Sequence, residues 1–150
     1  MNLNPKTVFL FLILFPLVAF VSGKKKYINP SGTYELVSKT IHRNNEVFGR
    51  MGEIKVINLS RTKIILRMDL SAGATSYNSG EFIDTMNYDG HTCVNRSMED
   101  DRSCKIRFVF STQGVKVFQR SDDANFGCGF GHAVYADGFY RKINPVKKRK

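Results

Sequence analysis

The chain has 150 residues, of which 42% are apolar and 24% are charged. This composition is ordinary for a globular protein and argues against a disordered chain or a polytopic membrane protein. The formal net charge is +10, but all 13 acids and only 13 of the 23 lysines and arginines fall between residues 27 and 140. The excess therefore lies at the two ends. The neutral centre shows no basic stripe with interleaved aromatics, so nucleic acid is not an expected partner.

The first 23 residues have the features of a secretory signal peptide. Lys6 gives a positive start, and Val8–Val21 is an unbroken apolar run of 14 residues. A membrane-spanning helix needs about 20 apolar residues, whereas the apolar part of a signal peptide needs about 7 to 15. Small residues precede Lys24, so we expect cleavage before Lys24 and a secreted or periplasmic mature protein, with an uncleaved membrane anchor as the alternative.

The mature chain is predicted to have three parts and no transmembrane segment. Residues 24–31 form a basic lead, residues 32–143 a single β domain, and residues 144–150 a basic tail. Basic ends beside a neutral domain suit loose attraction to anionic envelope surfaces, and they equally suit simple solubility, the interpretation that we favour.

Apolar residues recur with a period of two through the β domain, which is typical of half-buried strands. The alternation is clearest in residues 63–70 and Cys104–Phe110. Turn signals separate these runs from further β-rich runs, which are Thr33–Ile41, Glu53–Leu59, Glu81–Tyr88, His91–Asn95, Val115–Arg120, His132–Ala136 and Phe139–Ile143. No window outside the signal segment has a convincing helical period.

This pattern predicts an all-β fold, with a small antiparallel up-and-down barrel of about eight strands favoured over a β-sandwich. A barrel is favoured because closure removes exposed strand edges. The predicted inward side chains are bulky and would fill a small barrel, which favours binding at surface loops over binding in the interior. They are Ile64, Leu66, Met68, Phe82, Ile106, Phe108 and Phe110.

Three long loops are expected at one end of the barrel. Alternate loops of a meander share an end, which places Ser71–Gly80, Arg96–Ser103 and the glycine-rich Ser121–Gly131 together, while Gly49–Gly52 is expected to be a flexible joint. Aromatic and amide groups in polar loops commonly contact proteins or glycans. The candidate binding residues are therefore Tyr77, Asn78, Ser79, Phe126 and Phe130. The opposite end, made of short turns, is expected to be inert.

Three cysteines allow one disulfide in an oxidising compartment. The spacing does not settle the pairing. We favour Cys104 with Cys128, because that bridge would tie down the glycine-rich loop, and Cys93 would then be free and half-buried. Cys128 and His132 have a spacing that could hold a metal, but two ligands are weak evidence and no metal site is expected.

No catalytic motif is present, so neither an enzyme nor a cofactor is expected. The sequence has no G-x-S-x-G elbow, P-loop, H-E-x-x-H or dinucleotide fingerprint, and His42, His91 and His132 lie apart from any nucleophile motif. The acidic run Glu99–Asp101 lacks the spacing of an EF-hand and is interpreted as a solvated turn.

Two short segments resemble the calycin barrels, which include the lipocalins and fatty-acid-binding proteins. Ser31–Ser38 resembles their first strand, with Tyr34 where that family usually has Trp, and Asp137–Ile143 resembles a last barrel strand. The resemblance implies a calycin-like barrel. It also implies a possible role as a carrier of a small apolar ligand.

Three motifs resemble a group of small exported bacterial proteins that are largely uncharacterised. They are S-Y-N-S-G at Ser76–Gly80, S-C-K-I-x-F-x-F at Ser103–Phe110 and C-G-F-G-x-x-V-x-A-D-G-x-Y at Cys128–Tyr140. This resemblance implies a bacterial envelope protein with a Cys104–Cys128 bridge, but no activity.

The chain is also similar to small periplasmic barrels that inhibit lysozymes. Size, signal peptide and single bridge agree, and Ser79-Gly80 resembles the Ser-Gly-x-x-Tyr loop of one such family, although no Tyr follows at the expected position. Lysozyme is basic, so an acidic patch such as Glu99–Asp101 would have to approach it. The favoured function is thus an exported barrel that binds an extracytoplasmic protein or glycan, with lysozyme inhibition and ligand carriage as alternatives.

Overall fold

The protein folds almost entirely into β-strands, as a computed structural model that describes residues 26–96, 103–122 and 127–143 shows. The predicted signal peptide, the basic tail, Glu99–Asp101 and Phe126 lie outside the described residues. A single 3₁₀ turn, Gly127–Gly129, accompanies the strands in the described part. The strands are β1 (Gly32–Leu36), β2 (Ile41–Arg43), β3 (Glu46–Asn58), β4 (Lys63–Gly73), β5 (Ser79–Asn87), β6 (Thr92–Asn95), β7 (Lys105–Phe110), β8 (Gly114–Arg120) and β9 (Gly138–Ile143).

The strands form an antiparallel, nearly closed barrel, so the predicted fold class is confirmed. Their order is β5-β4-β3-β1-β9-β8-β7-β6, and β2 pairs with the first part of β3. No backbone ladder joins β5 to β6 among the described strands. Instead, Asn95 Nδ2 donates a hydrogen bond of 3.0 Å to Asp84 Oδ2 across this seam. Asn95 is buried, and the bond satisfies its amide group.

The interior is filled with large side chains, as the alternating pattern predicted. Every predicted inward residue is buried except Phe82, which is partly buried and packs against the core. Two tyrosines share this interior because their hydroxyl groups have partners: Tyr34 donates to Pro30 O at 2.6 Å, and Tyr140 donates to Ala136 O at 2.9 Å. Phe108, Ile54, Ile64, Leu66, Met68, Ile106, Val115 and Val117 are also almost completely buried.

Two predicted local structures were wrong. The expected strand His132–Ala136 is an irregular segment, because Ala133 has a φ of 60° and β9 already occupies the free edge of β8. Gly49–Gly52 is not a flexible joint but part of β3. Gly49 has a φ of 106°, and a side chain there would collide with the carbonyl oxygen of Lys39. Its missing Cβ allows β3 to cross the connection between β1 and β2 at close range.

The two ends of the barrel differ in construction. We call one the loop end, where the β2–β3 hairpin, the β4–β5 loop of residues 74–78 and the β8–β9 segment of residues 121–137 meet. The other is the turn end, with short turns between β3 and β4, β5 and β6, and β7 and β8. The lead packs on the turn end, where Ile28 N donates to Gly90 O at 2.9 Å and the rings of Tyr27 and Tyr88 lie 5.8 Å apart.

Cys104 and Cys128 form the disulfide, with an S–S distance of 2.01 Å, which confirms the favoured pairing. The bridge joins the start of β7 to the 3₁₀ turn. Cys93 is free, but the expectation of half-burial was wrong: it lies on the inward face of β6 and is only 2% exposed. Burial raises the pKa of its thiol, with smaller contributions from Asp89 and Asp84. A thiol of this kind is inert as a nucleophile.

Candidate functional site

The β4–β5 loop and the β8–β9 segment contact each other directly at the loop end. Asn78 Nδ2 donates a hydrogen bond of 2.9 Å to His132 O, and Gly131 N donates one of 2.9 Å to Ser79 O. Asn78 is half-buried, and Ser79 is exposed. These bonds hold two distant segments of the chain in one fixed surface.

Tyr77 is the prominent exposed aromatic side chain of this surface. It is 52% exposed, and its backbone has a φ of 52°. The hydroxyl group donates a hydrogen bond of 3.1 Å to Glu46 Oε1, which connects the β4–β5 loop to the β2–β3 hairpin. Desolvation and the neighbouring Glu46 carboxylate raise the pKa of Tyr77. The phenol is therefore neutral at physiological pH, and its ring presents an apolar face to solvent.

Phe130 occupies a different environment from Tyr77. It is only 2% exposed, and its ring stacks on Phe82 with centroids 6.4 Å apart. Gly80 makes room for this ring, since a Cβ there would lie 2.5 Å from Phe130 Cδ1. Phe130 thus belongs to the core and offers no side-chain surface to a partner.

Sequence reasoning missed other exposed apolar groups at the loop end. Val37 is 51% exposed, Ile41 is 66% exposed, and Tyr135 is 37% exposed. Arg50 holds the last of these in place, because its Nη2 donates hydrogen bonds to Tyr135 O at 2.6 Å and to Asp137 O at 2.7 Å. Val37 and Ile41 belong to the predicted strand Thr33–Ile41. In the structure β1 ends at Leu36, so the side chains of both residues are exposed beyond it.

One side of the barrel carries a row of four outward carboxylates, which we call the acidic wall. Glu35 lies opposite Glu53, Glu53 opposite Asp69, and Asp69 opposite Glu81, on β1, β3, β4 and β5. Like charges opposite each other repel. Lys55 and Arg67, one rung away on β3 and β4, offset this repulsion.

The ion pairs of the acidic wall involve three of its four carboxylates but only two cations, so the row keeps a net negative charge. Lys55 pairs with Glu53, and Arg67 Nη2 lies 2.9 Å from Asp69 Oδ1 and 3.2 Å from Glu81 Oε2. The hydrogen bond from Arg67 is the main reason that the pKa of Asp69 is lowered. A cleft of 430 Å³ opens above the row and is lined by Glu35, Leu36, Ser38, Thr40, Met51, Gly52, Glu53, Asp69, Leu70 and Ser71.

The opposite side carries only cations at its charged outward positions, and we call it the basic wall. It consists of Lys105 and Arg107 on β7, Lys116 and Arg120 on β8, and Arg141 on β9 at its border, where Arg141 is the cross-strand partner of Glu35 on β1. All five are exposed. Within the described ranges, every ion pair lies on the acidic wall and none involves these cations.

The cations of the basic wall surround one exposed aromatic ring. Arg107 and Phe118 are cross-strand partners, and the guanidinium carbon of Arg107 lies 4.8 Å from the centre of the Phe118 ring. Lys116 Nζ lies 6.0 Å from the same centre. Contacts of this kind between a cation and an aromatic face are worth about 0.5 to 1 kcal/mol at exposed sites. Phe118 therefore provides a weakly stabilising contact for two of the cations.

Summing charge along the chain concealed the basic wall. The centre of the sequence is neutral, yet the outward positions of β7 and β8 include four cations and no acid. Counting charge on the polar face of each predicted strand, and then placing neighbouring hairpin strands side by side, would have found it. A basic stripe is thus present on the folded surface although none is evident in the sequence.

No family model matches the chain, and neither a curated protein nor a solved structure shows significant similarity to it. No group of three or more His, Cys, Asp and Glu side chains in the described part could hold a metal ion, and Cys128 is already engaged in the disulfide. No helix there is long and apolar enough to cross a membrane. Function therefore has to be inferred from the two ends and the two walls of the barrel.

Proposed function

We propose that the protein is an exported, non-catalytic binding module of the bacterial envelope or extracellular space, and that its loop end contacts a protein partner. The observation that carries the proposal is the contrast between a filled interior and a fixed, exposed loop end. Bulky buried side chains occupy the inward positions, which argues against carriage of a small apolar ligand. Binding then takes place on the outside of the barrel.

The loop end has the chemistry of a protein-binding surface. Tyr77, Tyr135, Ile41 and Val37 expose apolar area, and the hydrogen bonds of Asn78 and Arg50 hold the segments that carry them. Tyrosine is enriched at protein interfaces because it offers a large rigid contact area with a polar tip. A surface that is ordered before binding also loses less conformational entropy when the partner arrives.

Export is supported by two independent features. The amino-terminal segment has the composition of a signal peptide, and the Cys104–Cys128 disulfide is typical of proteins in oxidising compartments. The resemblance of Ser76–Gly80, Ser103–Phe110 and Cys128–Tyr140 to small exported bacterial proteins also supports a location in the envelope.

The test is a pull-down from envelope extract with wild type and with the variant Tyr77→Ala plus Ile41→Ala. Both residues are exposed, so the variant should keep its fold. The matched control is Ile83→Ala, since Ile83 is 70% exposed but lies on β5, outside the loop end. We expect the double variant to lose a protein that wild type and control retain. Retention of every partner by the double variant would rule out the loop end.

A second candidate function is inhibition of a basic enzyme such as lysozyme, and the acidic wall is the observation that favours it. The four carboxylates and the adjoining cleft offer the acidic surface that such a partner needs. A lysozyme activity assay tests this function directly. Inhibition that disappears with Glu53→Gln plus Asp69→Asn would support it, and full lysozyme activity in the presence of wild type would exclude it.

A further inference from the structure

The basic wall lies on the side of the barrel, and the proposed function does not use it. Lys105 and Arg120 are direct cross-strand partners. Two like charges in this arrangement destabilise a sheet. No acidic side chain in the described part of the chain forms an ion pair with either of them.

Four of the cations follow one line across three strands. Lys105 and Arg107 are two residues apart on β7, so their Cα atoms are separated by about 6.7 Å. Lys116 is diagonal to Arg107, and Arg141 is diagonal to Lys116, since Phe118 pairs with Arg107 and Phe139 with Lys116. Diagonal neighbours in a sheet lie about 7 to 8 Å apart. The line is therefore about 20 Å long, with similar steps between its charges.

We propose that the basic wall is a binding site for a linear anionic polysaccharide that carries sulfate, phosphate or carboxylate groups. A row of exposed cations that form no ion pair within the described residues is complementary to a chain whose charges also recur along a line. The guanidinium groups of Arg107 and Arg141 can each donate two parallel hydrogen bonds to one anionic group, and Lys105 and Lys116 add point charges.

The aromatic residues of the wall distinguish this ligand from a nucleic acid. Single-stranded nucleic acids are held by open aromatic rings on which bases stack. Here Arg107 and Lys116 lie over the Phe118 ring, and Phe139 is half-buried. Two cations thus already lie over the exposed Phe118 ring of the wall, which suits a polymer without bases.

The arrangement of the charges also distinguishes the ligand from a membrane surface. A lipid surface attracts cations spread over a plane, commonly with apolar groups between them that enter the bilayer. On the basic wall the exposed ring lies beneath cations, and the charges follow a row.

The experiment measures binding of the exported protein to dextran sulfate and to polygalacturonate by isothermal titration, with neutral dextran as the blank. The test variant is Arg107→Gln plus Lys116→Gln. The matched control is Lys55→Gln plus Arg67→Gln, which removes the same charge from the acidic wall. Both pairs are exposed, and the loop end and the two basic termini are the same in both variants.

We expect at least one of the two anionic polysaccharides to bind wild type and the control alike. The test variant should bind about 25-fold more weakly, since each cation near an anionic surface contributes about fivefold. Its affinity should also depend less steeply on salt concentration. Equal loss in both variants would overturn the proposal, because it would reflect net charge alone.

Two further arms separate the other polyanions. A single-stranded oligodeoxythymidine and vesicles with phosphatidylglycerol are titrated at the same concentration of charge. Tighter binding of either one than of both polysaccharides would overturn the assignment to a polysaccharide. Absence of binding by wild type to both polysaccharides would overturn the site itself. Neither result depends on whether the loop end retains a protein partner.

Discussion

The strands of the acidic and basic walls both alternate buried apolar residues with exposed polar ones. The two walls differ in the sign of their charges and in how those charges are paired. On the acidic wall, Lys55 and Arg67 lie one rung from Glu53, Asp69 and Glu81 and pair with them. On the basic wall, the exposed cations of β7 and β8 have no acidic partner in the described part of the chain.

The difference shows that a stretch without net charge, residues 27–140, can fold with an excess of cations on one side of the barrel. Ion pairs between exposed residues typically contribute less than about 1 kcal/mol, so the acidic wall gains modest local stability from its pairing. The cations of the basic wall form no ion pair within the described residues, and on our proposal they bind a ligand instead. Net charge therefore says little about partners until the strand order assigns each charged residue to a side.

The largest expected effect comes from Phe130, a core residue that links the β8–β9 segment to β5 at the loop end. Its segment follows β8 on the basic side, and its ring stacks on Phe82 of β5 on the acidic side. Phe130→Ala should lower the free energy of unfolding by about 4 kcal/mol, because it empties a buried site. Urea unfolding measures this change, with exposed Tyr77→Ala as the control. A similar small loss in both variants would contradict the core position of Phe130.

The disulfide should produce the second largest effect. It joins the start of β7 to the segment that follows β8, both on the basic side of the barrel. Cys104 begins the segment of β7, and its bridge to Cys128 closes a loop with a sequence separation of 24. Replacing both cysteines by serine should destabilise the protein by about 3 kcal/mol in the chain-entropy model. Thermal unfolding with and without a reductant checks the value. A reductant that shifts the double variant as much as wild type would show that the bridge is not responsible.

A smaller effect on the melting temperature should differ between substitutions on the two walls. Arg67→Gln leaves Asp69 and Glu81 without their cation, whereas Arg107→Gln removes a charge that repels its neighbours and loses only a contact with Phe118. Arg67→Gln should therefore lower the melting temperature more than Arg107→Gln does. Differential scanning calorimetry at low salt measures both variants. The reverse order would mean that the acidic wall is not stabilised by pairing.

The smallest effect is the pH dependence that Asp69 of the acidic wall contributes. The hydrogen bond from Arg67 lowers the pKa of Asp69 below its ordinary value of 3.8. A carboxyl group whose pKa is lowered by folding contributes stability above its ordinary pKa, and that stability is lost as the pH falls through the folded value. Melting temperatures from pH 6 to pH 2 should decline less steeply for Arg67→Gln than for wild type. The Arg107→Gln profile should keep the slope of wild type.

Alternation predicted most of the barrel, since one face of each strand must be buried and the other solvated. Ile64, Leu66 and Met68 on β4 were found in this way, and so was the interior ring of Phe108. Positions governed by local backbone geometry were not predictable. Gly49 lies within a strand because its missing side chain permits a close crossing, and Ala133 leaves the strand conformation at a positive φ.

The candidate sites were harder to predict than the fold because they depend on neighbours distant in sequence. Phe130 lies in a glycine-rich stretch that suggested an exposed loop, but the space above Gly80 receives its ring. Arg141 adjoins Lys116 only because β9 pairs with β8. Contacts of this kind between distant segments depend on the order of the strands in the sheet. Turn signals and periodicity predict where the strands are, but they do not predict every long-range pairing.

The contrast between the two walls is tested most directly by an NMR titration of the labelled protein with a short sulfated oligosaccharide. Backbone amide shifts should change at Arg107, Lys116 and Arg141 and remain constant at Lys55 and Arg67. The Arg107→Gln plus Lys116→Gln variant should show no such pattern at the same ligand concentration. Shifts of equal size on both walls, or shifts centred on Lys55 and Arg67, would contradict the account.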